Sequence, residues 1–89
     1  MDVQLRKLKE ALLKDKRWPQ KFMFKFIVPN QNEKIEGVKK LFQKTDKLTY
    51  KVSKDIRYVS ITSQKWVSSP DEVILIYHEA SKIEGLIAL

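Results

Sequence analysis

In the stretch KFMFKFIV, residues 21–28, every second residue is Phe22, Phe24, Phe26 or Val28, and the residues between them are Lys21, Met23, Lys25 and Ile27. Successive side chains of a β-strand point to opposite faces, so this stretch reads as a strand with one wholly apolar face. A row of phenylalanines cannot be left to water, because each such ring removes about 150–250 Å2 from solvent when it is buried. The chain must therefore build a sheet with a covering layer on the phenylalanine side. At 89 residues it can bury roughly 60 to 65% of its unfolded surface, which supports one core and one domain.

RYVSITSQKW, residues 57–66, is a second long strand pattern, with Val59 and Ile61 on one face and Tyr58, Ser60, Thr62, Gln64 and Trp66 on the other. Before it, Leu48, Tyr50 and Val52 alternate with Thr49, Lys51 and Ser53, and a short turn at residues 54–56 predicts that these two strands form an antiparallel hairpin. Between the first strand and the hairpin, Pro29 and Asn30 end the strand. Asn30 with Glu33 three residues on predicts a helix start, and Ile35, Val38, Leu41 and Phe42 supply its buried stripe. Gly37 inside that stripe costs up to about 1 kcal/mol relative to alanine, which leaves close packing on the sheet as the reason to keep it.

The helix after the hairpin carries the strongest local signal. Ser69 caps, Pro70 suits the first helical position, and Asp71 and Glu72 suit the positive end of the helix dipole. Val73, Ile76, Tyr77, Ala80 and Ile83 form its buried stripe, Gly85 stops it, and LIAL at residues 86–89 is expected as a final strand. At the other end of the chain, Leu5, Leu8 and Leu12 make an apolar stripe on a helix over residues 2–14, which Trp18-Pro19 breaks.

The element order is therefore a helix followed by β, α, β, β, α, β. That predicts an α+β, ferredoxin-like βαββαβ sandwich: a four-stranded antiparallel sheet in the order 4-1-3-2, two helices on one face, and an extra N-terminal helix. In domain terms, residues 1–17 are an amphipathic helix and residues 18–89 the α/β domain.

Composition excludes several kinds of chemistry. There is no cysteine, and His78 is the single histidine, so neither a thiolate nor a multi-histidine metal site can be built. His78 lies off the apolar stripe beside Glu79 and reads as a surface imidazole rather than a general base. No serine or threonine stands in a nucleophile turn, and the two glycines, Gly37 and Gly85, form no phosphate loop. Neither an enzyme nor a bound cofactor is expected. No apolar run approaches the roughly 18 residues of a membrane helix, and the first residues show no secretory pattern, so a cytoplasmic protein is expected. The net charge of +7 is uneven: residues 1–17 contribute +3, residues 18–67 contribute +7, and residues 68–89 contribute −3.

Three stretches resemble the YbeD-like family of small bacterial proteins of uncharacterised function: WPQKFMFKF with its lysine Lys25, RYVSIT, and SSPDEVILIYHEASKIEGLIAL. The resemblance covers roughly residues 18–89. It implies a ferredoxin-like fold similar to the ACT regulatory domains, and no activity. ACT-type ligand sites use a glycine after the first strand, and VPNQNE has none.

The expected function is a non-catalytic regulatory or protein-interaction module acting through the sheet face that the helices leave open. Its surface is expected to comprise Met23, Lys25, Ile27, Tyr58, Ser60 and Thr62, partnered by another protein or a second copy. The alternatives are RNA or single-stranded nucleic-acid binding on the same face, or amino-acid sensing of the ACT kind. The stripe of Leu5, Leu8 and Leu12 is expected to dock on this open face in the free monomer.

Overall fold

The computed structural model describes residues 3–15 and 17–89. Asp2, the first residue of the expected N-terminal helix, lies outside the described residues, as do Met1 and Lys16 of the expected 1–17 segment. The elements are α1 (Val3–Leu13), β1 (Gln20–Pro29), α2 (Asn32–Lys39), β2 (Lys47–Val52), β3 (Tyr58–Val67), α3 (Pro70–Ala80) and β4 (Ile87–Ala88). The four strands form one antiparallel sheet in the order β2-β3-β1-β4, which is the expected order read from the other edge.

β1 and β3 are the long central pair, in register from Gln20 opposite Val67 to Pro29 opposite Tyr58. On the inner face Phe24, Phe26, Val28, Ile61 and Val67 are almost wholly buried, together with Val38 of α2 and Val73, Ile76 and Ala80 of α3. The phenylalanine stripe thus decides which side the helices cover. Tyr77 lays its ring against Phe22, Phe24 and Phe26, with centroids 5.4 to 6.4 Å apart. β2 is covered less well: Tyr50 and Val52 point to the inner side and remain about half exposed.

Among the described residues Ser63 is the one polar residue in the buried set, between Phe24 and Leu48 in the sheet, and its hydroxyl has no hydrogen-bond partner there. An unpaired buried hydroxyl costs about 1 kcal/mol or more, and alanine needs no extra space. Ser63→Ala should therefore raise the urea midpoint by an amount equivalent to about 1 kcal/mol, at unchanged slope. A lower midpoint would show that the hydroxyl is satisfied.

Several local expectations are corrected. Asn30 does not cap α2. The cap position is Gln31, which makes no side-chain cap bond, while Asn30 donates its backbone N–H to the Arg57 carbonyl (2.8 Å) and its side-chain amide to the Ile56 carbonyl (2.8 Å). α2 ends at Lys39, so Leu41 and Phe42 reach the core from the turn that follows. Gly37 lies under Ile83, whose Cδ1 would stand 3.3 Å from an added Cβ, which explains a glycine inside the helix. α3 ends at Ala80, five residues before Gly85. Gly85 instead turns the chain into β4 with φ +83°, pressed so closely on Pro29 that a Cβ would meet its ring at 2.9 Å. The final strand is only Ile87–Ala88, pairing with Phe26 and Ile27.

The largest correction concerns α1. It packs against α3 on the helix side of the molecule, and Leu8 and Leu12 join the edge of the core there, with Leu5 partly buried. The expected docking of Leu5, Leu8 and Leu12 on the open sheet face does not occur. The leucines supply the packing and charge is complementary to it: α1 carries Arg6, Lys7 and Lys9 against a single acid, Glu10, while the first turn of α3 carries Asp71 and Glu72. Lys9 reaches Asp71 at 2.8 Å. The open sheet rows offer α1 no Asp or Glu for such a pair.

Candidate functional site

Antiparallel partners share a face, so the register sorts the outer side of the sheet into rows across the β3 spine. Tyr58 stands opposite Pro29. Ser60 lies between Ile27 and Lys51, with Ile87 beyond; Thr62 lies between Lys25 and Thr49; Gln64 lies between Met23 and Lys47; Trp66 stands opposite Lys21. Rows are two residues apart along β3, about 7 Å.

All six sequence-expected surface residues fall on this face. Lys25 and Thr62 are direct partners, as are Ile27 and Ser60, whereas Met23 pairs with Gln64 and Tyr58 with Pro29. Met23 and Tyr58 are well exposed, at 57% and 45%, and Lys25 is exposed too. Ile27, Ser60 and Thr62 are partly covered by their neighbours in the sheet.

Sequence reasoning missed how the lysines are placed. From the Ser60 row to the Trp66 row each row carries one lysine, on alternating sides of the spine: Lys51, Lys25, Lys47, Lys21. No Asp or Glu stands in any of these rows, and none of the four lysines is in an ion pair among the described residues. The acids work elsewhere. Asp15 binds Arg17 and Gln20, Glu36 binds Lys39, Asp55 binds Ser53 and Arg57, Glu79 binds Lys82, and Glu72 takes the Ser68 hydroxyl at 2.8 Å. The side-chain bonds from Arg17, then its backbone N–H and Gln20, hold the Asp15 carboxyl down at about 2. The repeated lysine of KLTYK was the available signal, but it needed the hairpin register to become a surface.

Tyr58 and Trp66 close the two ends of the spine, and Trp66 is 65% exposed. Tyr58 is held at a braced corner, since its N–H donates to the Ser53 hydroxyl and its carbonyl accepts from the Ser53 N–H. The turn before it forces Ile56 to φ 58°, a left-handed conformation that a β-branched residue adopts at a cost.

Elsewhere the chemistry is sparse. His78 is exposed in the last turn of α3, where its carbonyl accepts the Ser81 hydroxyl (2.6 Å). No group of three or more His, Asp or Glu able to hold a metal ion occurs among the described residues. Nor is any described helix long and apolar enough to cross a membrane.

The family model described as "Protein of unknown function (DUF493)" matches residues 14–89, from just beyond the end of α1 to the last residue. No curated protein and no solved structure matches the chain.

Proposed function

The chain belongs to the DUF493 family, the one its strand and helix motifs resemble, and from a membership that carries no activity we propose a non-catalytic binding module that engages an anionic partner through its outer sheet face. One observation carries this reading: four lysines in successive rows, with no Asp or Glu among them, on a face that no described helix covers. Four like charges within a few rows, all exposed, build a local positive potential that attracts an anion. Helices that supply the core and an antiparallel sheet that supplies the contact would suit a ferredoxin-like plait with a regulatory role.

Retention on immobilised heparin tests the reading. Lys25→Glu/Lys51→Glu and Lys39→Glu/Lys82→Glu each change the net charge by the same amount, from +7 to +3, since two reversals remove four charges. The second pair lies on the helix side and breaks only exposed ion pairs of little worth. The outer-face pair should elute at clearly lower salt than the helix-side pair. Equal losses would mean that net charge alone governs retention, and the proposal would fall.

A further inference from the structure

We propose that the anionic partner is a single-stranded nucleic acid lying along β3, with its phosphates on the alternating lysines and bases stacked on Tyr58 and Trp66. The inference rests on the anionic-partner reading and deepens it.

Three observations select this occupant. The first is spacing. Lys51, Lys25, Lys47 and Lys21 advance one row at a time, about 7 Å per step, on alternate sides of one line. That is a track for a chain carrying one charge per repeat, comparable with the phosphate spacing of an extended strand. The second is the pair of aromatic rings. Tyr58 and Trp66 lie on the same face at the two ends of that line, both substantially exposed, and between them stand hydroxyls and an amide rather than further apolar bulk. Rings presented to solvent on an open sheet can take an unpaired base on each face, which a duplex cannot offer without unstacking. The third is the character of the lysines. Protein interfaces are depleted of lysine at their centre, because an ammonium buried there needs its own carboxylate. Here Lys47 and Lys51 stand on the edge strand β2 and Lys21 and Lys25 on the central strand β1, one at a time on either side of β3, so an acidic protein would have to match each one separately. A phosphate chain matches them by its repeat alone. Arginine, the residue that reads bases by paired hydrogen bonds, is missing from these rows, so binding is expected to tolerate many sequences.

The test is fluorescence anisotropy of the full chain with a labelled 12-nucleotide oligo-dT, its ribose counterpart oligo-U, and a 12-base-pair duplex. The single strands should bind more tightly than the duplex. Four phosphate contacts predict that log affinity falls with log salt at a slope of about −3, and each Lys→Ala substitution on the track should lower the slope by about 0.7. Tyr58→Ala and Trp66→Ala should each weaken single-strand binding roughly tenfold, the scale of one lost stacked base. Tyr58→Phe should retain binding, and the heparin elution of all three should match that of the unaltered chain, because no charge changes. Duplex binding as tight as single-strand binding would overturn the proposal, as would aromatic variants that bind like the parent, or an acidic peptide that outcompetes the oligonucleotide at equal charge. Each of those results leaves the anionic-partner reading standing. That reading fails separately, on the heparin comparison of the two lysine pairs.

Discussion

Phe24→Ala is expected to lower the stability of the fold by about 3 to 5 kcal/mol, against the roughly 4 to 13 kcal/mol usual for a domain of this length. Phe24 is fully buried and central to the aromatic cluster: its ring centroid lies 4.8 Å from Phe22, 5.6 Å from Phe42, 5.4 Å from Tyr77 and 6.2 Å from Phe26. These neighbours come from β1, the turn after α2, and α3, so a void here is bordered by three separate parts of the chain. They cannot all move in to fill it, which places the cost above that of simple transfer from water. Phe22→Ala, at a half-buried position on the same stripe, should cost less. Urea unfolding followed by circular dichroism measures both, and a loss below about 1.5 kcal/mol for Phe24→Ala would mean that the cluster collapses freely.

Asp46→Ala should cost about 3 kcal/mol, the range of a buried ion pair stripped of one partner. Lys65 points from β3 to the inner side, and its side chain is only 11% exposed. Its ammonium donates to Asp46 Oδ2 at 3.0 Å, and the same oxygen accepts the Gln43 N–H at 2.8 Å. Alanine at 46 strands the ammonium in a place it cannot leave without abandoning its packing, and it also unties the loop between α2 and β2. Adding Lys65→Met removes the stranded charge at nearly the same volume, so the double variant should recover more than half of the loss. If the double variant were as unstable as Asp46→Ala alone, the loop bond to Gln43 and not the ion pair would carry the effect.

Much of the architecture was legible because it depends on periodicity alone. Alternation at Phe22, Phe24 and Phe26 needs no knowledge of the partner strand, and Ser69-Pro70-Asp71-Glu72 is a helix start written in consecutive residues. What failed depends on residues far apart in the chain. Asn30 with Glu33 has the spacing of a cap, yet the carbonyls that claim Asn30 belong to Ile56 and Arg57. Gly37 makes sense only once Ile83 is seen above it. The leucines of α1 say that a stripe needs cover without saying where, and only the packing of α1 on α3 shows which side it takes. The candidate surface was half readable in the same way. Its β1 and β3 members follow from alternation, whereas Lys47 and Lys51 join it only through the hairpin register, and the succession of lysines follows from all three strands at once.

The pair of hydrogen bonds from Asn30 to the β2–β3 turn bears on entropy. It ties the end of β1 to the residues immediately before Tyr58, and Ser53 grips Tyr58 from the other side of the turn. The backbone beneath that ring is thus already ordered, although the ring itself stands at an exposed corner. Ordering an interfacial group on association costs roughly 0.5 to 1.5 kcal/mol, and a ring with only two rotatable angles on a fixed backbone lies at the low end of that range. The strain at Ile56 is thus accepted once, when the chain folds. It is not charged again at each encounter, so a partner meeting Tyr58 meets it already in place.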